Sequence, residues 1–312
     1  MNEVTIISGR MNPRVDPHLE IWHWEIPFYL FMGGLAAGIL FFAAMYVLLN
    51  KEEKFSAAVR ITPHLAPFVL VIGLIALLLD LNHKAYFWQL YTTIRLQSPM
   101  SWGAWVLMLI TPISFIWSAI HIRSIFPEWE WKGVLKTVES FFVKQKRAIA
   151  WIMLFSSVIL GIYTGILFSA FNARPLWNTS ILGPLFLVSG LSTGAAMNIM
   201  LSKDHTARLT FSRIDLMLIG IELFLIVHMF MGFLASTQVQ IDAAELFLGG
   251  PYTAVFWVLV VGMGLILPAI LEILELKKYK IPVFIPAGLV LIGGLMLRFI
   301  IAYAGQESRW LY

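Results

Sequence analysis

Eight stretches of about 20 mainly apolar residues divide this chain of 312 residues, and each is long enough to cross a lipid bilayer as a helix. Because the bilayer core holds no water to pair with free backbone groups, only helices and closed barrels span it. A barrel would show short segments in which apolar and polar residues alternate, and this sequence has none. The sequence therefore predicts an all-α integral membrane bundle of eight transmembrane helices, at residues 26–49, 63–81, 102–122, 148–170, 181–201, 216–235, 253–271 and 282–304.

The composition excludes several classes of protein. Hydrophobic residues make up 59 % of the chain and charged residues only 13 %, about half the charged fraction of a soluble domain. The chain has no cysteine, so it offers no thiolate ligand for an iron–sulfur cluster, and we expect any such redox centre to lie on a partner subunit. A net charge of +4, spread along the chain, does not indicate a nucleic-acid-binding protein.

Basic residues in the loops predict the orientation of the bundle. Cytoplasmic loops are enriched in Lys and Arg, and fifteen of these residues follow predicted spans one, three, five and seven, against six on the opposite side. We therefore expect both termini on the non-cytoplasmic side. Residues 1–25 would form a polar extracytoplasmic segment, which lacks the apolar core of a signal peptide. Residues 26–304 would form the transmembrane domain, and residues 305–312 an extracytoplasmic tail.

Two further patterns concern helix packing and the membrane surface. Small residues recur inside the spans, as in Gly34-Leu-Ala-Ala-Gly38 and Gly190-Leu-Ser-Thr-Gly194, which predicts a close approach of neighbouring helices. In the longest loop, residues 123–147, apolar residues repeat at three- and four-residue steps with charged residues between them. This spacing predicts an amphipathic helix lying on the cytoplasmic surface of the membrane.

Ionisable groups inside membrane spans are costly and are commonly functional. Asp80, Tyr163, His228 and Arg298 fall in the outer halves of their spans, whereas Glu222 lies slightly inside the middle of its own. Polar groups at one depth predict a pocket in the outer half of the bundle rather than a continuous pore. Structural alternatives stay open at this point. Asp80 could cap a helix or pair with Lys84, and Arg298 could form a structural charge pair with Glu222 or Asp80. Tyr163 could be an interfacial aromatic residue and His228 a hydrogen-bonded core histidine.

Two other functions compete with a ligand pocket. A two-haem cytochrome needs paired histidines at matching depths in the membrane. His64, His121 and His228 form no such pair in the sequence, so we expect no haem. A proton-linked secondary transporter would use the intramembrane acids and Arg298, and it would favour interrupted helices with a site at the membrane midplane.

Several strings, spread in order along the chain, resemble the polysulfide reductase membrane-subunit family, also called NrfD-like. The most specific are Ser98-Pro-Met-Ser-Trp-Gly-Ala-Trp105 and Arg174-Pro-Leu-Trp-Asn178. Further matching strings are Trp22-His-Trp24, the glycine-rich stretch from Tyr29 to Gly38, Leu79-Asp80-Leu81, Tyr163-Thr-Gly165, and Arg298 with the late Ala304-Gly-Gln306.

The resemblance implies an eight-helix quinone-binding anchor in the cytoplasmic membrane of a bacterium or archaeon, with no haem or metal of its own. It also implies a ferredoxin-like partner with four iron–sulfur clusters, which connects to a molybdopterin catalytic subunit. The chain would exchange electrons between the membrane pool of quinone or menaquinone and that partner. It would therefore carry the quinol site of an oxidoreductase complex rather than the catalytic centre.

The same resemblance implies roles for residues of the quinone site. Tyr163 falls where the family has its quinone-site tyrosine, and Asp80 matches the family's aspartate at the end of span two. Polysulfide reductase has an asparagine and a histidine one to two turns after its Trp-His-Trp string. This chain has Ile26 and Tyr29 at those positions, so we expect His23 or Tyr29 to substitute in binding the quinone headgroup.

We expect Asp80 to act as the base and Tyr163 as the hydrogen-bond partner of the headgroup, with Arg298 as a tuning charge. Beyond the headgroup, Glu222 and His228 are candidates for a proton path toward the cytoplasm. The candidates for docking the iron–sulfur subunit are Arg174, Trp177 and Asn178.

Overall fold

A computed structural model describes residues 22–308 of the protein, and the regular elements in this range are all helices. Eight of them are long and apolar enough to cross a membrane, as predicted. The predicted segment 1–25 lies largely outside the described residues, as do residues 309–312 of the predicted tail. The spans are α1 (Glu25–Leu48), α2 (Ala57–Asp80), α4 (Pro99–Ile120), α6 (Lys146–Ser169), α7 (Leu182–Leu201), α8 (His205–Leu234), α10 (Thr253–Leu276) and α11 (Phe284–Glu307), and shorter helices in the loops are α3 (Gln89–Thr92), α5 (Val134–Lys144) and α9 (Gln238–Glu245).

Helix α1 lies at the centre of the bundle. It packs against α2, α6, α7 and α11, and its most apolar window is 83 % buried, compared with 33 % for α10. A Cβ added to Gly38 would lie 2.1 Å from the carbonyl oxygen of Gly190, and one added to Gly194 would lie 2.6 Å from the Cα of Gly38. The close approach predicted from these glycines is therefore confirmed, because α1 and α7 leave no room for a side chain between them.

Several spans extend beyond the apolar runs that identify them, and two of these extensions carry buried carboxyl groups. Helix α8 begins a full 11 residues before the predicted span 216–235. At its start the Asp204 carboxylate accepts hydrogen bonds from two backbone amides of the first turn, at 3.3 and 2.8 Å. Helix α10 likewise continues past the predicted span 253–271. The hydropathy pattern ends early because charged residues interrupt it, and these extensions place Asp215 and Glu272 inside long helices.

The predicted amphipathic surface helix is confirmed in a shorter form. Helix α5 occupies only the middle of residues 123–147, and none of its residues is buried. Its side chains Leu135, Val138 and Phe142 line an apolar groove of about 240 Å³ that they share with α4. One apolar side of α5 therefore faces the bundle, as expected of a helix lying along the membrane surface.

Candidate functional site

A cavity of about 90 Å³ lies between α1, α2, α4 and α6, at the end of the bundle where α2 and α6 finish. Most of its lining side chains are apolar. The lining residues that carry polar side-chain groups are Trp22, Tyr29, Asp80, Tyr91 and Tyr163. The structure thus brings together three residues that the sequence assigned to one site, from three different helices, and adds Tyr91 from the loop.

The ring of Tyr163 occupies space that is free because residue 103 of α4 is a glycine. A Cβ added to Gly103 would lie 1.9 Å from the Cζ of Tyr163 and 2.3 Å from its hydroxyl oxygen, so the ring occupies the space above this glycine. The Tyr163 side chain is 8 % exposed and that of Tyr29 is 4 % exposed. The two phenol side chains interact with each other, which gives the cavity a pair of phenols on one wall.

Asp80 ends α2, and the chain turns to an extended conformation at Leu81. The partly exposed Asp80 carboxyl interacts electrostatically with Glu25, His23 and Lys84. His23 is exposed, so this carboxyl interacts with a titratable group at the surface of the molecule. The Asp80 carboxyl therefore lines the cavity and also interacts electrostatically with groups that reach the surface.

An apolar groove of about 200 Å³ runs along the outside of α2, next to the cavity. The groove and the cavity share the side chains of Leu77, Leu81, Leu90 and Tyr91 as lining. Ile75, which also lines the groove, is 50 % exposed on the face of α2 that points away from the bundle. The polar cavity is thus adjacent to an apolar passage that opens toward the membrane.

The Ser98–Trp105 string fixes the loop that closes this cavity. Ser101 donates a hydrogen bond from Oγ to the carbonyl oxygen of Thr93 at 3.3 Å, and Trp102 donates from Nε1 to that of Leu96 at 2.9 Å. These bonds hold residues 93–98 against the first turn of α4. Burial raises the pKa of the half-buried Tyr91 phenol, so this wall of the cavity stays neutral at physiological pH.

Arg298 lies in a different polar cluster, on the other side of α1. Its guanidinium is fully buried and donates to Ser189 Oγ at 2.7 Å, to the carbonyl oxygen of Gly294 at 2.8 Å and to that of Phe186 at 3.1 Å. Glu222 is 2 % exposed and interacts with this guanidinium and with Ser189. Arg298 and Glu222 therefore interact through their charges, without an ion pair within 4 Å among the described residues, and Arg298 does not line the cavity.

Glu222 and His228 do not come together. They lie six residues apart on α8, which places them on different faces of the helix. His228 is exposed, and its Nδ1 lies 2.8 Å from the carbonyl oxygen of Phe224 on the preceding turn. Its ring also packs on Phe224, with the ring centroids 3.8 Å apart. The His228 side chain therefore points away from the buried cluster that contains Glu222.

The Arg174–Asn178 string folds against the end of α11. Arg174 donates from Nη1 to the carbonyl oxygens of Gln306 at 2.7 Å and Ser308 at 3.1 Å. Trp177 donates from Nε1 to a carbonyl oxygen of α11 at 2.8 Å and is only 4 % exposed. Trp177 was expected in a docking surface, but its buried indole supports the loop from within, and only Arg174 and Asn178 retain partial exposure.

Two of the histidines considered for haem, His64 and His121, are held by backbone groups at the opposite end of the bundle. His64 Nε2 lies 3.2 Å from the carbonyl oxygen of His121, and His121 Nδ1 lies 3.0 Å from that of Trp117. Burial lowers the pKa of His121 to about 4, with the nearby Lys146 contributing, so its ring is neutral. Within residues 22–308 no group of three or more His, Cys, Asp or Glu side chains is placed to hold a metal ion.

The family model described as polysulphide reductase, NrfD, matches residues 11–308 of the chain. The chain belongs to this family. The protein NrfD of Escherichia coli (strain K12) is 33 % identical over 307 residues, which cover 93 % of this chain and 96 % of that protein. One of the polysulfide reductase chains of Wolinella succinogenes is 30 % identical over 301 residues, which cover 92 % of this chain and 94 % of that one. One of the selenate reductase subunits of Mesobacillus selenatarsenatis is 24 % identical over 306 residues, which cover 88 % and 71 %.

Membership of the NrfD family confirms the resemblance drawn from the sequence. Together with the eight apolar helices, it identifies a multi-pass integral membrane protein of an oxidoreductase family. The matched region includes every residue of the cavity described above.

Some functional candidates in this NrfD-family protein escape reasoning from sequence alone. Gly103 lies inside a specific string, but only the structure shows that Tyr163 needs its empty space. Asp215 and Glu272 are almost fully buried, although both lie just outside the predicted spans. The signal in the sequence was their position: each directly adjoins an apolar run, where a continued helix would draw the carboxyl into the membrane.

Proposed function

We propose that this chain is the membrane anchor and quinone-binding subunit of a respiratory oxidoreductase, in the cytoplasmic membrane of a bacterium or archaeon. In this role it exchanges electrons between the pool of quinone or menaquinone and an iron–sulfur partner subunit. The observation that carries the proposal is the cavity with its phenol pair and carboxyl, which shares a wall with an apolar groove along α2. A quinone has the matching form, since it joins a polar headgroup to a long apolar tail.

The residues of the cavity fit the chemistry of a quinol. Oxidation of a quinol releases two protons and two electrons, so the site needs a hydrogen-bond partner for the headgroup and an acceptor for protons. Tyr163, supported by Tyr29, supplies the hydrogen bond to a headgroup oxygen. Asp80 accepts a proton and passes it toward the exposed His23, which interacts with it electrostatically.

The loop between α2 and α4 is the proposed docking surface for the iron–sulfur subunit. It lines the cavity through Leu90 and Tyr91, and it carries exposed apolar side chains at Trp88 (49 %), Ile94 (73 %) and Leu96 (68 %). A group of exposed apolar side chains is typical of an interaction surface. A cluster docked on this loop would lie close to the cavity, and the electrons would pass from it to a molybdopterin catalytic subunit.

Arg298, Glu222 and His228 fall outside the proposed headgroup site. Helix α1 separates the Arg298 guanidinium from the cavity, and Gly34 of α1 faces that guanidinium, since a Cβ added there would lie 3.0 Å from Nη2. Arg298 acts on the site only through its charge. A proton path through Glu222 would have to continue by groups other than His228, whose ring points away from the bundle.

Co-purification is the experiment that tests this function. The chain, tagged and isolated from its native membrane in mild detergent, should retain an iron–sulfur subunit, and the complex should oxidise a soluble quinol analogue. Bound quinone should be recovered by solvent extraction and identified by mass spectrometry. Solute transport by the purified chain alone, without a retained iron–sulfur subunit, would instead favour the proton-linked transporter.

A further inference from the structure

A pair of buried carboxyl groups lies between α8 and α10, at the end of the bundle opposite the tyrosine cavity. Asp215 of α8 is 0 % exposed and Glu272 of α10 is 1 % exposed. The two helices pack against each other, and the two carboxyls interact with each other across this contact. Both groups lie inside membrane-spanning helices, where an uncompensated charge is expensive.

The pair has too few donors for two carboxylates. Ser192 Oγ donates to Asp215 Oδ1 at 2.5 Å, but among the described residues Asp215 Oδ2 and both oxygens of Glu272 receive no hydrogen bond. An ionised carboxylate only accepts hydrogen bonds, so two of them in contact repel each other. A single proton shared by the two groups removes one charge and supplies the missing donor.

Nearby charged groups do not take the place of that proton. The ion pairs in the described part of the chain, formed by Arg60 with Glu53, Arg123 with Glu139 and Lys146 with Glu52, all lie elsewhere. The groups that face the pair are Ser192 from α7, Glu222 further along α8 and Glu275 one turn along α10. The Arg298 guanidinium interacts with Glu222 rather than with the pair.

We propose that Asp215 and Glu272 bind one exchangeable proton between them, and that Glu275 connects this proton to water at the loop after α10. Glu275 is 8 % exposed, interacts with Glu272 and lies one residue before the end of α10. The succession Glu275, Glu272, Asp215 and Ser192 therefore leads inward from that loop. This protonation site is separate from the tyrosine cavity, and it does not depend on the proposed quinone function.

Infrared difference spectroscopy between H₂O and D₂O tests the site on the purified chain with the partner subunits it retains. At neutral pH we expect a carboxylic-acid C=O band that shifts in D₂O and disappears in Asp215→Asn and in Glu272→Gln. The band should persist in Glu53→Gln, a control at an exposed carboxylate. Glu275→Gln should keep the band but slow its exchange with D₂O several-fold.

Glu272→Gln is the variant expected to fold normally. Its amide N–H can donate a hydrogen bond to Asp215 in place of the shared proton. We expect this variant to keep the melting temperature of the unaltered chain, even if Asp215→Asn does not accumulate in the membrane. A carboxylic band that survives Glu272→Gln unchanged would overturn the proposal. So would loss of the band in the unaltered chain when NaCl is added at constant pH, since the pair would then bind a cation instead.

Discussion

The hydroxyl of Tyr163 is the group on which the proposed headgroup site depends most directly. Tyr163→Phe deletes this hydroxyl and keeps the ring, so the packing above Gly103 should survive. A neutral hydrogen bond contributes about 0.5–1.5 kcal/mol, and 1.4 kcal/mol corresponds to a factor of about ten. We therefore expect quinol turnover to fall by up to about tenfold if the hydroxyl only binds. A loss of about a hundredfold or more would show that it also takes part in proton transfer.

Tyr46→Phe is the matched control for that measurement. Tyr46 is a buried tyrosine of the same helix as Tyr29, but it stacks on Phe55 at the other end of the bundle, with ring centroids 3.9 Å apart. Its variant should keep full quinol turnover in the assembled complex. Equal turnover in the two variants would place the headgroup outside the cavity.

Asp80→Asn separates proton transfer from binding. The amide keeps the shape of the side chain but is a far weaker base, so kcat for a soluble quinol should fall by a factor of about 100 or more while inhibitor binding changes little. The catalytic subunit should still react normally with an artificial dye that bypasses this chain. A variant with unchanged kcat in an intact complex would remove Asp80 from the chemistry.

For an individual residue, the sequence predicts how deep in the membrane its side chain lies but not the direction in which that side chain points. Tyr29, Asp80 and Tyr163 were expected together and do line one cavity. Arg298 was placed in the same site because it lies at a similar depth, yet α1 stands between it and the cavity. Which neighbour a helix face meets depends on tertiary packing, and that information is not contained in a single apolar run.

The loop between α2 and α4 is the element on which assembly with the partner is expected to depend. Ile94→Asp places a charge on its most exposed apolar side chain and should reduce the amount of iron–sulfur subunit that co-purifies. Leu248→Asp, in the loop after α9, is the control, because Leu248 is also exposed (45 %) but lies away from the cavity. Arg174 is less suitable for this test, since its charge reversal would also release the end of α11.

Retention of the partner at the level of the unaltered chain in Ile94→Asp would argue against this docking surface. Equal losses in Ile94→Asp and Leu248→Asp would point to a general effect of added charge on that side of the membrane rather than to a specific dock.

His121 lies at the end of α4, where its backbone carbonyl contacts the His64 ring of α2. The titration of the His121 ring is expected to make the stability of the fold depend on pH. Its pKa is lowered to about 4 in the folded protein, from about 6.5 in an unfolded chain. The folded state therefore favours the neutral ring, and this contribution is fully present above about pH 6.5 and declines as the pH falls toward 4. The shift corresponds to roughly 3 kcal/mol.

His121→Gln removes this titration and keeps a side chain that can donate to the Trp117 carbonyl. The melting temperature of the unaltered chain in detergent should therefore fall relative to that of His121→Gln as the pH is lowered from about 6.5 toward 4. Parallel curves would show that His121 does not contribute to the acid sensitivity of the fold.

Helix positions were predicted more reliably than helix ends. All eight apolar runs became helices, because each run must satisfy its own backbone in lipid. The start of α8 and the end of α10 were missed because hydropathy scores each carboxyl as an isolated charge. A carboxyl that has a partner costs less free energy inside a membrane. The residues beyond those ends proved to be the ones that carry the proposed proton site.

The orientation of the whole molecule is a prediction from its basic loops, and the cysteine-free sequence makes it easy to test. A single cysteine at Asn82 should react with a membrane-impermeant maleimide in intact cells or spheroplasts. A single cysteine at Lys54 should react only after the membrane is permeabilised. Both positions are exposed at opposite ends of the bundle. The reverse labelling pattern would place the termini in the cytoplasm.

The number of spans, the helical class and the family were accessible from the sequence, because each depends on long runs or on specific strings. The arrangement of the polar groups into two separate regions was not. It depends on the position of α1, which lies between the tyrosine cavity and the Arg298 cluster. The glycines of α1 allow α7 to pack closely against the side of α1 that faces Arg298.

The empty space at Gly103 also limits how this site can evolve. A methyl group at position 103 collides with Cζ of the ring at position 163, and phenylalanine keeps that carbon. Position 103 is therefore not free to change while the ring at 163 keeps its place: alanine at 103 requires that ring to move or a smaller residue at 163, and the smaller residue gives up the phenol. A substitution at 103 is thus epistatic with the residue at 163, and a lineage that keeps the tyrosine in this position must also keep the glycine.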